Sequence, residues 1–282
     1  MKTQILDLGD IKSDLLIFGG PYSNLAATRA VLEKAKALNI KPSHIICTGD
    51  VVAYCAEPEA TCQLIKNSGI SVVMGNCEES LASDSNDCGC GFEPDMLCSV
   101  LSEKWYRYAQ QNISNDSREW MSTLPTAIEF TCGGKKFRVI HGGVSQINQF
   151  IFASTEQKLK RQQFVHLDSD CIIGGHCGLP FGQQVEDKYW LNAGVIGLPA
   201  NDGTQQGWYL LLKPIKNTIE INWHRLTYPV QQTYASMQQA GLNEYAESLI
   251  SGLWPSTDVL PLTEKSAQGQ RLDMPDLSLK LT

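Results

Sequence analysis

A chain of 282 residues with 43% hydrophobic and 19% charged residues has room for one large domain or two small ones, and its makeup excludes a disordered or fibrous protein. A formal charge of −7 with no run of Lys or Arg argues against a nucleic-acid-binding surface. The apolar stretches are of strand length and no basic-then-apolar leader is evident, so a cytoplasmic protein without a membrane segment is expected.

In chain order, residues 14–18 make a short apolar strand, 24–38 have helical apolar spacing, 44–47 make a second strand, 58–68 a second helix and 70–74 a third strand. Strand, helix, strand, helix, strand at this spacing predicts a mostly parallel sheet with its strand-end loops gathered on one edge, where ligands bind. Each strand runs into a polar turn containing glycine, the first at Gly19-Gly20-Pro21-Tyr22-Ser23-Asn24. The second turn is Thr48-Gly49-Asp50 and the third is Gly75-Asn76-Cys77-Glu78. Residues 84–95 lack periodicity and read as a loop, followed by helical patterns at 96–111 and 117–123. Strands then dominate, at 127–131 and 136–140 as a hairpin, and at 171–173, 189–191, 208–212 and 219–225, before a helix near 230–239. A domain over 1–254 with a cap region at about 84–123, followed by a polar tail at 255–282, is the expected organisation.

Ten cysteines in a chain of this size and expected compartment predict thiols rather than disulfide staples. Cys47, Cys55, Cys62, Cys132 and Cys171 lie in apolar strand or helix patterns and read as small core residues. Cys77, Cys88, Cys90, Cys98 and Cys177 lie in or near loop-like or glycine-rich contexts.

Asp50, Asn76, His141 and His176 each follow an apolar strand and adjoin a glycine. Hard oxygen and imidazole donors on several strand ends are what a cation needs if it is to polarise a phosphoryl group and activate water. Five blocks in order, Gly49-Asp50-Val51-Val52-Ala53-Tyr54, Gly75-Asn76, His141-Gly142, Gly174-Gly175-His176 and Asn192-Ala193-Gly194-Val195-Ile196-Gly197-Leu198-Pro199, resemble those of the calcineurin-like metallophosphoesterases, in particular the small bacterial and archaeal branch with a helix-rich cap. The resemblance runs from about Leu15 to about Trp254. It implies an α/β fold, a four-layer α/β/β/α sandwich with a helical cap insertion, and a two-cation site bridged by one aspartate.

The resemblance further implies that Asp50, Asn76, His141 and His176 hold one cation, a divalent ion such as Zn, Fe or Mn. The other cation's remaining ligands in the family fall on Gly20, Tyr22 and Gly178, none of which ligates in the usual way. The family's leaving-group histidine falls on Cys77, followed by Glu78. One metal, or a second one held differently, is therefore expected. Cys77 and Cys177 adjoin retained ligands, and Cys88 and Cys90 lie on a loop able to fold over the same rim, so these four thiols are candidate ligands. Tyr22 either orients or protonates a phosphate oxygen or plugs the vacated position, and Glu78 either moves a proton or is a solvated surface acid. The leading expectation is a metal-dependent hydrolase of a small phosphomonoester or phosphodiester, its partner a small phosphorylated molecule. The alternatives are a degenerate metal- or nucleotide-binding sensor and a thiolate metal site with non-hydrolytic chemistry.

Overall fold

The computed structural model of the chain describes residues 4–93 and 95–280. The first half contains β1 (Ile5–Ile11), β2 (Leu15–Phe18), α1 (Leu25–Ala37), β3 (Ile45–Cys47), α2 (Pro58–Ser68) and β4 (Ser71–Val72). Three cap helices follow, α3 (Asn76–Ala82), α4 (Leu97–Gln111) and α5 (Asn115–Ser122), and then the hairpin β5 (Ala127–Cys132) and β6 (Lys135–Val139). The second half holds α6 (Gln157–Gln163), β7 (Cys171–Gly174), β8 (Phe181–Val185), β9 (Lys188–Asn192), β10 (Gly207–Ile215) and β11 (Thr218–Leu226). The chain closes with α7 (Val230–Gln239), α8 (Asn243–Ser251), α9 (Leu262–Ser266) and β12 (Leu277–Lys280).

Layering follows from the strand period of two. All four residues of β2 are buried, but Leu15 and Ile17 pack into the space between two sheets, whereas Leu16 and Phe18 pack outward against helices. Ile46 of β3 likewise faces inward while Ile45 and Cys47 face the helices, and on β10 Leu210 and Leu212 alternate with Tyr209 and Leu211. A strand apolar on both faces needs a cover on each, which yields the α/β/β/α sandwich the resemblance implied.

One sheet has the order β12-β11-β10-β2-β3-β4 and the other β1-β5-β6-β7-β9-β8. The pairs β2/β3, β3/β4, β6/β7 and β7/β9 are parallel, so their C-terminal ends present loops on one side. A bridge between Gly19 and Val195 ties the ends of the two sheets together at that rim.

Three elements depart from the sequence expectation. Strand β1 is nearly all exposed and was not anticipated, since its placement comes from parallel pairing with β5 and not from an apolar pattern. Helix α3 begins at Asn76 itself, within the segment expected as the third turn, so helix appears before residue 84. Residues 255–280, expected as a polar tail either loosely packed or wrapping the surface, lie against the domain and add a strand to it. Here β12 pairs antiparallel with β11, the Leu97 N–H donates to Asp258 at 2.9 Å, and the Ser154 N–H and hydroxyl donate to Glu264 at 2.9 and 2.6 Å. Only Leu279 of that strand is buried, which is why composition alone concealed it.

Candidate metal centre and the aromatic cavity beside it

Asp50 follows β3, Asn76 opens α3, His141 follows β6 and His176 follows β7, so parallel strands from both sheets deliver all four to one rim. Asp50 and His176 adopt positive φ of 55° and 59°, a conformation that turns each side chain sharply off its strand. Two glycines permit the close approach. A Cβ on Gly49 would stand 2.8 Å from both the Gly75 nitrogen and the His141 Nδ1, and one on Gly75 would stand 2.5 Å from the Asp50 Oδ1.

The His141 Nδ1 lies 2.7 Å from the Thr48 carbonyl oxygen, which can only accept, so Nδ1 carries the proton and the neutral ring presents its Nε2 lone pair inward. That Nε2 is 3.0 Å from the Asn76 Oδ1, 3.2 Å from the His176 Nδ1 and 3.3 Å from the Asp50 Oδ2. The Asn76 Nδ2 donates to the Cys88 carbonyl at 2.9 Å, which fixes the amide with its oxygen toward the centre. Four lone-pair groups thus converge in a buried spot, and they fit a divalent cation. Ligand atoms of Asp50, His141 and His176 all lie within 4.8 Å of one another, and among the described residues this is the single cluster of three His, Cys, Asp or Glu groups so arranged.

Electrostatics agree with the geometry. Burial and then the neighbouring His141 push His176 down to about 3, so it stays neutral and able to ligate. Burial works against the charged form of Asp50, but His141 and His176 outweigh it and lower its pKa. Burial likewise opposes the charged form of His141, and the Asp50 carboxylate reverses the direction and raises its pKa.

The candidate thiols are not gathered into this cluster. Cys88 and Cys90 are joined to each other as a disulfide, against the expectation of reduced thiols. Cys77 is buried, its backbone N–H donates to the Asp50 Oδ1 at 3.3 Å, and burial followed by the Asp50 charge drives its thiol pKa well up. Cys177 receives the Asn192 Nδ2 at 3.2 Å and faces the Leu179 carbonyl, and burial pushes it to about 12. Burial outweighs every other influence on both thiols, so each keeps its proton, which disfavours it as a ligand.

Glu78 is neither a solvated acid nor a wall of the cavity. It is 0% exposed and its carboxylate accepts the backbone N–H groups of Asp50 and Val51 at 2.8 Å each, Gly75 at 3.0 Å and Val52 at 3.4 Å. It therefore clamps the Asp50 loop to the start of α3. Burial and then Asp50 push it up to about 7.

Tyr22 lies beside Gly20 and Gly178, the positions on which the resemblance placed the other cation's ligands. A Cβ on Gly20 would stand 2.5 Å from the Tyr22 Cζ, and one on Gly178 would stand 3.9 Å from the Tyr22 Oη and 3.2 Å from the Trp254 ring. The phenol therefore lies across the space into which side chains at Gly20 and Gly178 would project. Burial and then the Asp50 charge hold the Tyr22 pKa well above the usual tyrosine range, so it keeps its proton. Gly20→Asp is accordingly expected to destabilise the fold by about 1–3 kcal/mol through overpacking against this ring, as denaturant unfolding would measure. An unchanged midpoint would refute that reading of the packing.

Beside the centre lies a cavity of about 60 Å³ lined in part by Tyr22, Asp50, Tyr54, Phe92, Phe150, His176, Tyr245 and Trp254. Tyr54 meets Tyr22 edge to face at 4.7 Å and Tyr245 at 4.6 Å, and Phe150 covers the His176 imidazole at 4.1 Å. Sequence reasoning passed over Phe150, Tyr245 and Trp254 because they come from loops and helices remote from the motif blocks. Tyr54 stood inside one block and drew no notice.

Two mixed sheets packed between helices, with an aspartate, an asparagine and two histidines gathered at one strand-end rim, define a metallophosphoesterase fold. The sequence pattern of the calcineurin-like phosphoesterase superfamily domain matches residues 12–214, and the chain belongs to that superfamily. It is 26% identical over 253 residues to the uncharacterized protein MJ0912 of Methanocaldococcus jannaschii, covering 83% of this chain and 96% of that one. Its fold is similar to that of a metallophosphoesterase from Sphaerobacter thermophilus, with a TM-score of 0.67 and 19% identity over 86% of this chain and 100% of that one. Hypothetical protein PH1004 from Pyrococcus horikoshii is alike in fold at a TM-score of 0.67 and 14% identity, with the same coverage of 86% and 100%. Among the described residues no helix is long and apolar enough to cross a membrane.

Proposed function

We propose that the chain is a phosphoesterase working with one divalent cation, Zn, Fe or Mn, held by Asp50, Asn76, His141 and His176, with the Tyr22 phenol standing in for the second. The observation that carries this reading is the position of the Tyr22 ring across the space above Gly20 and beside Gly178. When bound, the cation polarises a phosphoryl oxygen and lowers the pKa of water.

The chain's own residues supply the rest. Thr48 fixes the His141 tautomer, and Cys88 fixes the orientation of the Asn76 amide. Glu78 holds the Asp50 loop in its turned conformation through backbone N–H groups. The Tyr22 O–H donates to a phosphoryl oxygen as negative charge grows there, the role of a neutral electrostatic stabiliser. Cys77 does not line the cavity, so the hydrogen-bond donor at this side of the substrate is the Tyr22 phenol and not the thiol that stands where the family has its leaving-group histidine.

The test is metal content together with hydrolysis of bis(4-nitrophenyl) phosphate after loading with Mn, Zn or Fe. One cation per chain is expected. Tyr22→Phe is expected to keep that cation and to lose about 10- to 100-fold in kcat with little change in KM, the size of effect seen when one donor to a developing charge is removed. Two cations per chain, or a Tyr22→Phe variant with unaltered kcat, would refute the assignment.

A further inference from the structure

Among the described residues the wall of the cavity beside the metal centre carries Asp50 and His176 but no Lys or Arg, and six of its side chains are the rings of Tyr22, Tyr54, Phe92, Phe150, Tyr245 and Trp254. We propose that this cavity selects a monoanionic phosphodiester bearing an aryl alcohol, in preference to any phosphomonoester. The proposal rests on the single-cation reading above and names its substrate class.

Charge decides the first half. A divalent cation with the Asp50 carboxylate leaves a net charge of +1, and the Glu78 carboxyl group, tied to backbone N–H groups, does not line the cavity. A phosphodiester contributes −1 and a phosphomonoester dianion −2. With no cationic side chain on the wall, the second negative charge would stand unpaired in an apolar, buried space, which is costly.

Shape and leaving-group chemistry decide the second half. The cavity of about 60 Å³ is small and open on one side, so a phosphoryl group at the metal centre leaves an attached ring lying against the aromatic walls. Those walls are braced, since Tyr54 packs on both Tyr22 and Tyr245 and the Trp254 Nε1 donates to the Pro199 carbonyl at 2.7 Å. Hydrolysis forms one P–O bond from water and breaks the P–O(aryl) bond, the aryl alcohol departing with a proton. An aryl alcohol, with a pKa of about 10, departs with little help from an acid, whereas an alkoxide would need a strong one, and the buried phenols of the wall hold their protons too firmly to serve as one.

Binding of diphenyl phosphate, phenyl phosphate and dimethyl phosphate to the Mn-loaded protein, followed by titration calorimetry, tests the proposal without relying on turnover. Diphenyl phosphate is expected to bind at least tenfold more tightly than either of the others. Trp254→Ala, and independently Phe150→Leu in case the first variant fails to fold, is expected to weaken diphenyl phosphate at least fivefold and leave dimethyl phosphate within twofold. Phenyl phosphate or dimethyl phosphate binding as tightly as diphenyl phosphate would overturn the proposal. Hydrolysis of bis(4-nitrophenyl) phosphate separates the two readings. Selective diphenyl phosphate binding without hydrolysis supports the cavity assignment and removes the hydrolytic function. Hydrolysis that favours 4-nitrophenyl phosphate removes the cavity assignment and leaves the hydrolytic function standing.

Discussion

His141→Ala is expected to abolish cation binding and to reduce kcat/KM on bis(4-nitrophenyl) phosphate by on the order of a thousandfold, while the protein remains folded. The Nε2 of His141 stands within 3.3 Å of donor atoms on Asn76, His176 and Asp50, so its removal takes away the central ligand of the group. A cation contributes several kcal/mol of charge stabilisation to phosphoryl transfer, and each 1.4 kcal/mol is about tenfold in rate, which sets the thousandfold scale. Asp50→Ala should reproduce the loss, since it removes the only ligand in the set with a formal negative charge. His44→Ala is the control, because His44 lies at the far end of β3, bonded to Ser13, and should leave both cation and rate unaltered. Metal content by plasma emission and steady-state rates on the same preparations make the comparison. A His141→Ala protein retaining its metal and most of its rate would refute the centre as described.

Glu78→Ala is expected to cost about 3–5 kcal/mol of folding stability, the range for removing one partner from a buried charged network. Four backbone N–H groups converge on this carboxylate, and without it the donors of Asp50, Val51, Val52 and Gly75 are left buried and unmatched. Each such orphan costs about 1–3 kcal/mol, partly recovered by relaxation and entering water, so the total stays below their sum. Glu78→Gln keeps the volume and one acceptor oxygen but turns an N–H₂ toward N–H donors, and should cost less, about 1–2 kcal/mol. Denaturant midpoints of the metal-free proteins measure both. A loss under about 1 kcal/mol for Glu78→Ala would contradict the clamp. The same variant should weaken cation binding, because Asp50 holds its positive φ only while its N–H is anchored.

The alternating strands and helices of the first 74 residues were legible because each is a short apolar run bounded by glycine turns, and the observed β2, α1, β3 and α2 fall within a residue or so of the expected ranges. Strands β1 and β12 escaped because edge strands bury few side chains, and pairing with a neighbour is what forms them. Helix α3 escaped because its first turn is also the metal-site turn, whose Gly-Asn-Cys-Glu composition reads as a loop. The surroundings of Glu78 and of the four candidate thiols could not be read from the sequence, for one shared reason. Adjacency along the chain does not report which way a side chain points or how deeply it is buried, and burial is what holds a thiol protonated or ties a carboxylate to backbone donors.

By itself, the sequence determined the architecture and the four cation-binding candidates Asp50, Asn76, His141 and His176, because hydrophobic period and strand-end glycines are local properties that survive without coordinates. It also marked the second half of the site as altered, through Gly20, Tyr22 and Gly178. Only the tertiary structure decided what lies beside those positions: a phenol across the space between two glycines some 158 residues apart, in a cavity walled by rings from the cap, α8 and the C-terminal segment. Those contacts are made by residues far apart in the chain, and they become neighbours only once the two sheets have packed and the C-terminal segment has closed over the rim.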